Sequence, residues 1–161
     1  MSMQFLQTKL GDEPVIVEAL FPASPARIFA AWTDPAKIVQ WFGPTPGSLE
    51  TAEADLRIGG RWCFAFPKSE TGQNRLEGEY QDIQAEQRLQ FTWRHVHEQR
   101  DGTIDATAYS TVTLTLTVQG AATRLHLRHE GIIKADGRKG VGTGWETTFG
   151  TLLNLLTKPE T

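Results

Sequence analysis

Residues 110–131, STVTLTLTVQGAATRLHLRHEG, alternate almost without interruption. Val112, Leu114, Leu116 and Val118 fall on one side of the chain, and Thr111, Thr113, Thr115 and Thr117 on the other. After a turn at Gly120 to Ala122, Leu125 and Leu127 oppose Arg124, His126 and Arg128. A strict period of two with one apolar and one polar set is the signature of neighbouring antiparallel strands that cover one face and wet the other.

The same rhythm runs upstream. Trp62, Phe64 and Phe66 share a face against Arg61, Cys63 and Ala65; Leu76, Gly78 and Tyr80 oppose Glu77, Glu79 and Gln81; Leu89, Phe91 and Trp93 oppose Arg88, Gln90, Thr92 and Arg94. Val15, Val17, Ala19 and Phe21 make a first strand that Pro22 ends. Turns are predicted at Ile58 to Gly60 and Glu86 to Gln87, and Gln99 to Thr107 reads as a long, mobile hairpin end.

A helical period appears in three places. Ser24 reads as an N-cap with Pro25 at the first helical position, ahead of Ile28, Phe29 and Trp32. Thr33 or Asp34 followed by Pro35 repeats the device through Trp41, and Gly43, Pro44, Pro46 and Gly47 stop that helix. The third helix closes the chain with Trp145, Phe149, Leu152, Leu153 and Leu156 as its stripe, and Thr143 and Glu146, at capping-box spacing, predict its start. Gly131 to Gly142 then reads as a mobile rim. About seven strands and one late helix predict an α+β fold, a single domain over residues 1–161, in which a curved antiparallel sheet wraps around the C-terminal helix.

With 161 residues, 39% of them hydrophobic, and a net charge of -3, the chain is long enough to build its own core without a metal or disulfide staple. Charges of both signs are interspersed and the pI is near 5.8, which argues against nucleic acid and against a basic membrane patch. No apolar run approaches the roughly 20 residues of a spanning helix. A lone Cys63 and an N-terminal stretch, Met1 to Gly11, without a basic or long apolar run suggest a reducing, cytoplasmic setting.

The order of four motifs resembles a known superfamily. FPASPARIFAAWTDPAKIVQWFGP at Phe21 to Pro44, DLRIGGRW at Asp55 to Trp62, the Leu89 to Trp93 strand, and HEG at His129 to Gly131 followed by GWE at Gly144 to Glu146 are similar to START-like, birch-pollen-allergen-like (SRPBCC) proteins. Within that group they most resemble the branch named for the C-terminal domain of the activator of the heat-shock protein ninety ATPase. The resemblance covers essentially the whole chain and implies a helix-grip fold with two short helices after strand one. It also implies a hydrophobic cavity in many members, homodimers in some, and no single activity.

Phase along the strands points Trp62, Phe64, Tyr80, Phe91 and Trp93 toward the closing helix, so the same residues are core and candidate ligand contacts. Tyr80 and Trp93 need partners for their polar atoms if buried, which offers a ligand something to bond. In the closing helix, Gly144, Thr147, Thr148, Gly150 and Thr151 surround Trp145 and Phe149, whereas leucines dominate the second half, so space is predicted beside the first half. Trp32 and Trp41 on the two short helices stand where they would cap an opening or pack those helices against the sheet edge.

His129 continues the inward phase of Leu125 and Leu127, and His95 and His97 that of Trp93. Three imidazoles on one face raise a zinc site, but an intervening strand separates them by about 9–10 Å, so no metal and no cofactor are assigned. His129 is the candidate general acid or base; Glu130 faces the other way, and no nucleophile stands at a defined spacing. The Gly59–Gly60 pair lacks the lysine and helix of a phosphate loop.

Three classes of function remain. The first is a carrier or sensor of a small apolar or amphipathic molecule held between sheet and helix. The second is a cyclase or hydrolase using the same pocket. The third is a protein-interaction or chaperone-regulating module, which an exposed apolar patch on the outer face would favour and the threonine row opposes. The same row leaves room for sheet-side contacts in a homodimer.

Overall fold

The computed structural model describes residues 4–158; the three residues at each end of the expected 1–161 domain lie outside the described residues. Nine strands and three helices follow in the order β1 (Gln4–Lys9), β2 (Val15–Phe21), α1 (Pro25–Thr33), α2 (Pro35–Trp41), β3 (Thr51–Ala54), β4 (Arg61–Ala65), β5 (Gly72–Gln84), β6 (Arg88–Gln99), β7 (Ile104–Ala106), β8 (Ser110–Gln119), β9 (Ala122–Glu130) and α3 (Ala135–Leu156). All strands pair antiparallel, in the order β1-β2-β9-β8-β6-β5-β4-β3, with β7 added to β6. The pairing of β2 with β9 joins the start of the sheet to its last strand, register Val15 with His129 through Phe21 with Thr123.

The α+β helix-grip architecture is the one predicted, with two strands more. β1 was missed because QFLQTK has no apolar face to bury: five of its six residues are exposed. β7 lies in the segment predicted as a mobile hairpin end, and it forms because its three residues pair with Val96 to Glu98 of β6. The two short helices start as their sequence indicates. Ser24 Oγ accepts from Arg27 N at 3.2 Å, and Asp34, not Thr33, caps α2 by accepting from Ala36 N at 3.0 Å.

The closing helix differs most from its prediction. It begins at Ala135, so Thr143 and Glu146 are interior residues and form no capping box, and most of the Gly131 to Gly142 rim is helical. Each glycine in a helix interior costs about 0.8–1 kcal/mol relative to alanine, which is why the sequence reads as a loop there. Tertiary contacts outweigh that cost. A Cβ on Gly142 would lie 2.5 Å from Leu10 Cδ2 and 3.1 Å from Leu10 Cα, so only glycine lets the β1–β2 hairpin settle on the helix. Arg138 on the first turns donates to the carbonyls of Gly11 (3.1 Å), Ile132 (3.0 Å) and Ile133 (2.6 Å), and Glu13 Oε1 accepts from Gly131 N at 3.0 Å.

The core sits between the concave face of the sheet and α1, α2 and α3. Val17, Ala19 and Phe21 of β2, Leu125 and Leu127 of β9, and Phe149 and Leu152 of α3 are fully buried in it. Phe149 meets Phe21 edge-on at 5.6 Å between ring centres, and Trp32 packs on Trp41 at 4.9 Å. On the opposite face of the sheet, Glu77 is buried among Arg75 (2.8 Å) and Arg94 (2.6 Å). Burial pushes its carboxyl up, and the hydrogen bonds from the two guanidiniums outweigh that, holding it below its ordinary value.

Candidate functional site

The long inward-facing rings of β4, β5 and β6 meet α3 in a closed aromatic chamber. Trp32, Phe42, Trp62, Phe64, Tyr80, Leu89, Phe91, Trp93 and Trp145 line a void of only about 10 Å³, room for a single water at most. Trp62 is fixed there by its indole N–H, which donates to Thr92 O at 3.1 Å. That reach crosses Gly78, where any Cβ would collide with the Thr92 carbonyl and lie 2.8 Å from Trp62 Nε1. Tyr80 is buried, and desolvation pushes its hydroxyl up to about 12, so it stays protonated.

Open space lies beside the first half of α3. A groove of about 620 Å³ is lined by Trp93 and His95 of β6, Thr107, Ala108, Ser110, the Gly131 to Lys134 turn, and Gly137 and Val141 of α3. A bay of about 160 Å³ shares Trp93 and Val141 with it and adds Phe42, Gly43, Pro44, Phe66, Leu76, Gly144, Trp145 and Thr148. Of the small residues beside which space was predicted, Gly144 and Thr148 border the bay, Thr147 is exposed elsewhere on the helix, and Gly150 and Thr151 line neither the groove nor the bay. Of the residues proposed from the sequence, Trp93, His95 and Trp145 reach the open space; Trp62, Phe64, Tyr80 and Phe91 line the closed chamber; Trp41, Phe149 and His129 are fully buried.

His129 is the centre of a buried relay. Trp145 Nε1 donates to His129 Nδ1 at 3.0 Å, His129 Nε2 lies 2.6 Å from Ser110 Oγ, and Ser110 Oγ donates to Trp93 O at 3.2 Å. An indole nitrogen can only donate, so Nδ1 must be bare and the proton sits on Nε2. The imidazole therefore donates a hydrogen bond to Ser110, and the serine hydroxyl donates one to the β6 carbonyl of Trp93. A serine and histidine at this distance resemble a nucleophile and its base, but the tautomer is the reverse of what a base requires. Burial lowers the imidazole to about 3, so it is neutral at physiological pH with both nitrogens occupied. Ser110, which has no motif to mark it in the sequence, lines the groove; the pairing of β8 with β9, which sets Val112 opposite His129, brings Ser110 to the imidazole from two residues away on the same face.

The other two histidines belong to a different cluster. Asn74 Oδ1 lies 3.0 Å from His95 Nε2 and 2.9 Å from His97 Nδ1, and His97 Nε2 faces Thr71 O at 3.1 Å. Burial and the neighbouring His97 lower the His95 imidazole below its ordinary value. β8 stands between β6 and β9, so these rings do not converge with His129. Among the described residues no group of three or more His, Cys, Asp or Glu side chains is arranged to hold a metal ion, and no helix is long and apolar enough to cross a membrane.

The five tryptophans differ in what their indole nitrogens meet. Trp41 donates to Ala31 O at 2.8 Å, Trp62 to Thr92 O and Trp145 to His129, but the buried indole nitrogens of Trp32 and Trp93 have no partner among the described residues. An unpaired buried donor costs roughly 1–3 kcal/mol.

A sheet wrapped on a long C-terminal helix, with two short helices and a groove at the helix start, defines a helix-grip architecture. Residues 22–157 match the family described as Activator of Hsp90 ATPase homolog 1-like protein, and the chain belongs to that family, a START-like one as its motifs indicate. No functionally curated protein matches the chain. Among solved structures it is similar to protein CV1439 from Chromobacterium violaceum (TM-score 0.73, 20% identity, covering 92% of this chain and 100% of that one). Protein MLL2253 from Mesorhizobium loti is similar at TM-score 0.71 and 23% identity, covering 92% and 100% of the two chains. CalU16 from Micromonospora echinospora is similar at TM-score 0.64 and 22% identity, covering 98% and 87%. At these identities the likeness speaks for the fold alone.

Proposed function

We propose that this protein binds a small apolar or amphipathic molecule beside the first half of α3, as a carrier or sensor working in a reducing, cytoplasmic setting. The observation that carries the reading is the 620 Å³ groove, within the size range of small-molecule sites, which meets a second bay at Trp93 and Val141. Apolar side chains make most of its wall, while Lys134 and His95 supply a polar edge for the head group of an amphipathic ligand. The free, half-buried Cys63 fits a reducing compartment. The His129 relay supports binding over catalysis, since it joins α3 to β9, β8 and β6 and has no proton acceptor to spare.

Native mass spectrometry of protein purified gently from its own host tests the reading, and the same spectrum gives the oligomer size. A retained small molecule is expected on the wild type and lost from Val141→Trp, which fills the junction of groove and bay. Retention by Val141→Trp would move the site elsewhere; an empty wild type that also fails to bind a neutral apolar dye would shift the function to partner binding.

A further inference from the structure

We propose that the closed aromatic chamber opens to an uncharged ligand that presents a hydrogen-bond acceptor, such as a carbonyl or ether oxygen, to the bare indole N–H of Trp93, with Trp32 as the second donor. This rests on the ligand-binding reading above and names the chemistry of what is bound. Three of the five tryptophans have found acceptors within the protein, and the two that have not both line the same void. No charged side chain belongs to that lining. The chamber is thus rich in donors and poor in acceptors, a polarity that an aliphatic ligand leaves unanswered and a carbonyl oxygen completes.

The chamber and the open bay are divided by residues that line both: Phe42, Trp93 and Trp145. Trp145 is tied to His129 by its indole N–H. Phe42, at the C-terminal cap of α2, is held by ring contacts alone, at 5.0 Å from Phe64 and 6.0 Å from Trp145. Phe42 and Trp93, neither of them tied by a side-chain hydrogen bond among the described residues, are therefore the part of the wall that yields, and Trp93 borders both the bay and the chamber.

Two probes of one shape test this: 1-indanone and 1-methyleneindane, which differ only in C=O against C=CH2. Titration into protein labelled with 15N at the tryptophan indoles, with the resonances assigned, reads both affinity and the donor used. The expected result is at least tenfold tighter binding of the ketone, a downfield shift of the Trp93 indole proton with the ketone only, and an affinity ratio near one in Trp93→Phe. Should that variant fail to fold, the indole shift in the wild type decides. Equal affinities, or a preference with the Trp93 resonance unmoved, would mean that a bound water alone serves these donors; that overturns the inference and leaves the carrier reading standing. If neither probe binds while a neutral apolar dye does, the chamber stays shut and the inference fails; if none of the three binds, both fail.

Discussion

The two halves of α3 are held by different physics. From Ala135 to Gly144 the only buried residue is Gly142, and the segment is fastened at its edge by Arg138 on three backbone carbonyls and by the apolar contact of Leu10 over Gly142. From Trp145 to Leu156 six residues are buried, and Arg27 of α1 donates to the carbonyls of Leu155 (3.2 Å) and Lys158 (2.6 Å) at the helix end, where a cation is favourable. The second half is core. The first half is a wall of the groove, and its glycines are the reason that there is space rather than side chain at Gly137 and Gly144. A helix can thus serve as both anchor and rim when its side-chain volume is unevenly distributed along its length.

Truncating the anchor gives the largest effect. Phe149→Ala removes a fully buried ring packed on Phe21 and Trp32, and should cost about 3–5 kcal/mol in chemical denaturation; a loss below about 1 kcal/mol would mean that the second half is no more core than the first.

The boundary between the halves is sensitive to acid. The His129 imidazole takes up a proton near pH 3 in the folded protein and near 6.5 in the unfolded chain. Between those values the unfolded chain holds the extra proton, so this contribution to stability is complete above about pH 6.5 and declines as the pH falls, by at most ~1.4 kcal/mol per pH unit. Denaturation midpoints measured from pH 7 to pH 4.5 should show the decline, and His129→Gln should flatten it. An unaltered slope in the variant would assign acid sensitivity to other groups.

The smallest effects sharpen the picture within the rim itself. Gly142→Ala forces Leu10 to move and should destabilise by about 1–2 kcal/mol despite the gain in helix propensity. Gly140→Ala has nothing within 4 Å of the new methyl and should stabilise by roughly 0.5–1 kcal/mol. Equal changes at the two positions would show that the hairpin does not bear on the helix.

Much of this was legible in the chain. The alternation of Val112 to Val118 and Leu125 to Leu127 specified strands, with Val112, Leu114, Leu125 and Leu127 buried as their phase indicates and Val118 exposed at the strand end; Ser24 and the choice of Thr33 or Asp34 marked the starts of the short helices. The start of α3 was not legible, because Gly137, Gly140 and Gly142 read as a loop until Leu10 and Arg138 are seen against them. Nor was Ser110, whose bond to His129 depends on β8 pairing with β9.

The sequence by itself determined the local order: which residues face inward, where two helices begin, and that a sheet must close on a final helix, since periodicity and capping act between residues a few positions apart. Tertiary structure alone decided which inward-facing rings border open space, which imidazole nitrogen carries the proton, and which two of five indoles are left without an acceptor. Those outcomes depend on groups far apart in the chain, such as Trp145 and His129 across the helix–sheet boundary or Trp62 and Thr92 across two strands. Hydrogen bonding and packing at that range are settled only when the whole sheet is wrapped around the helix.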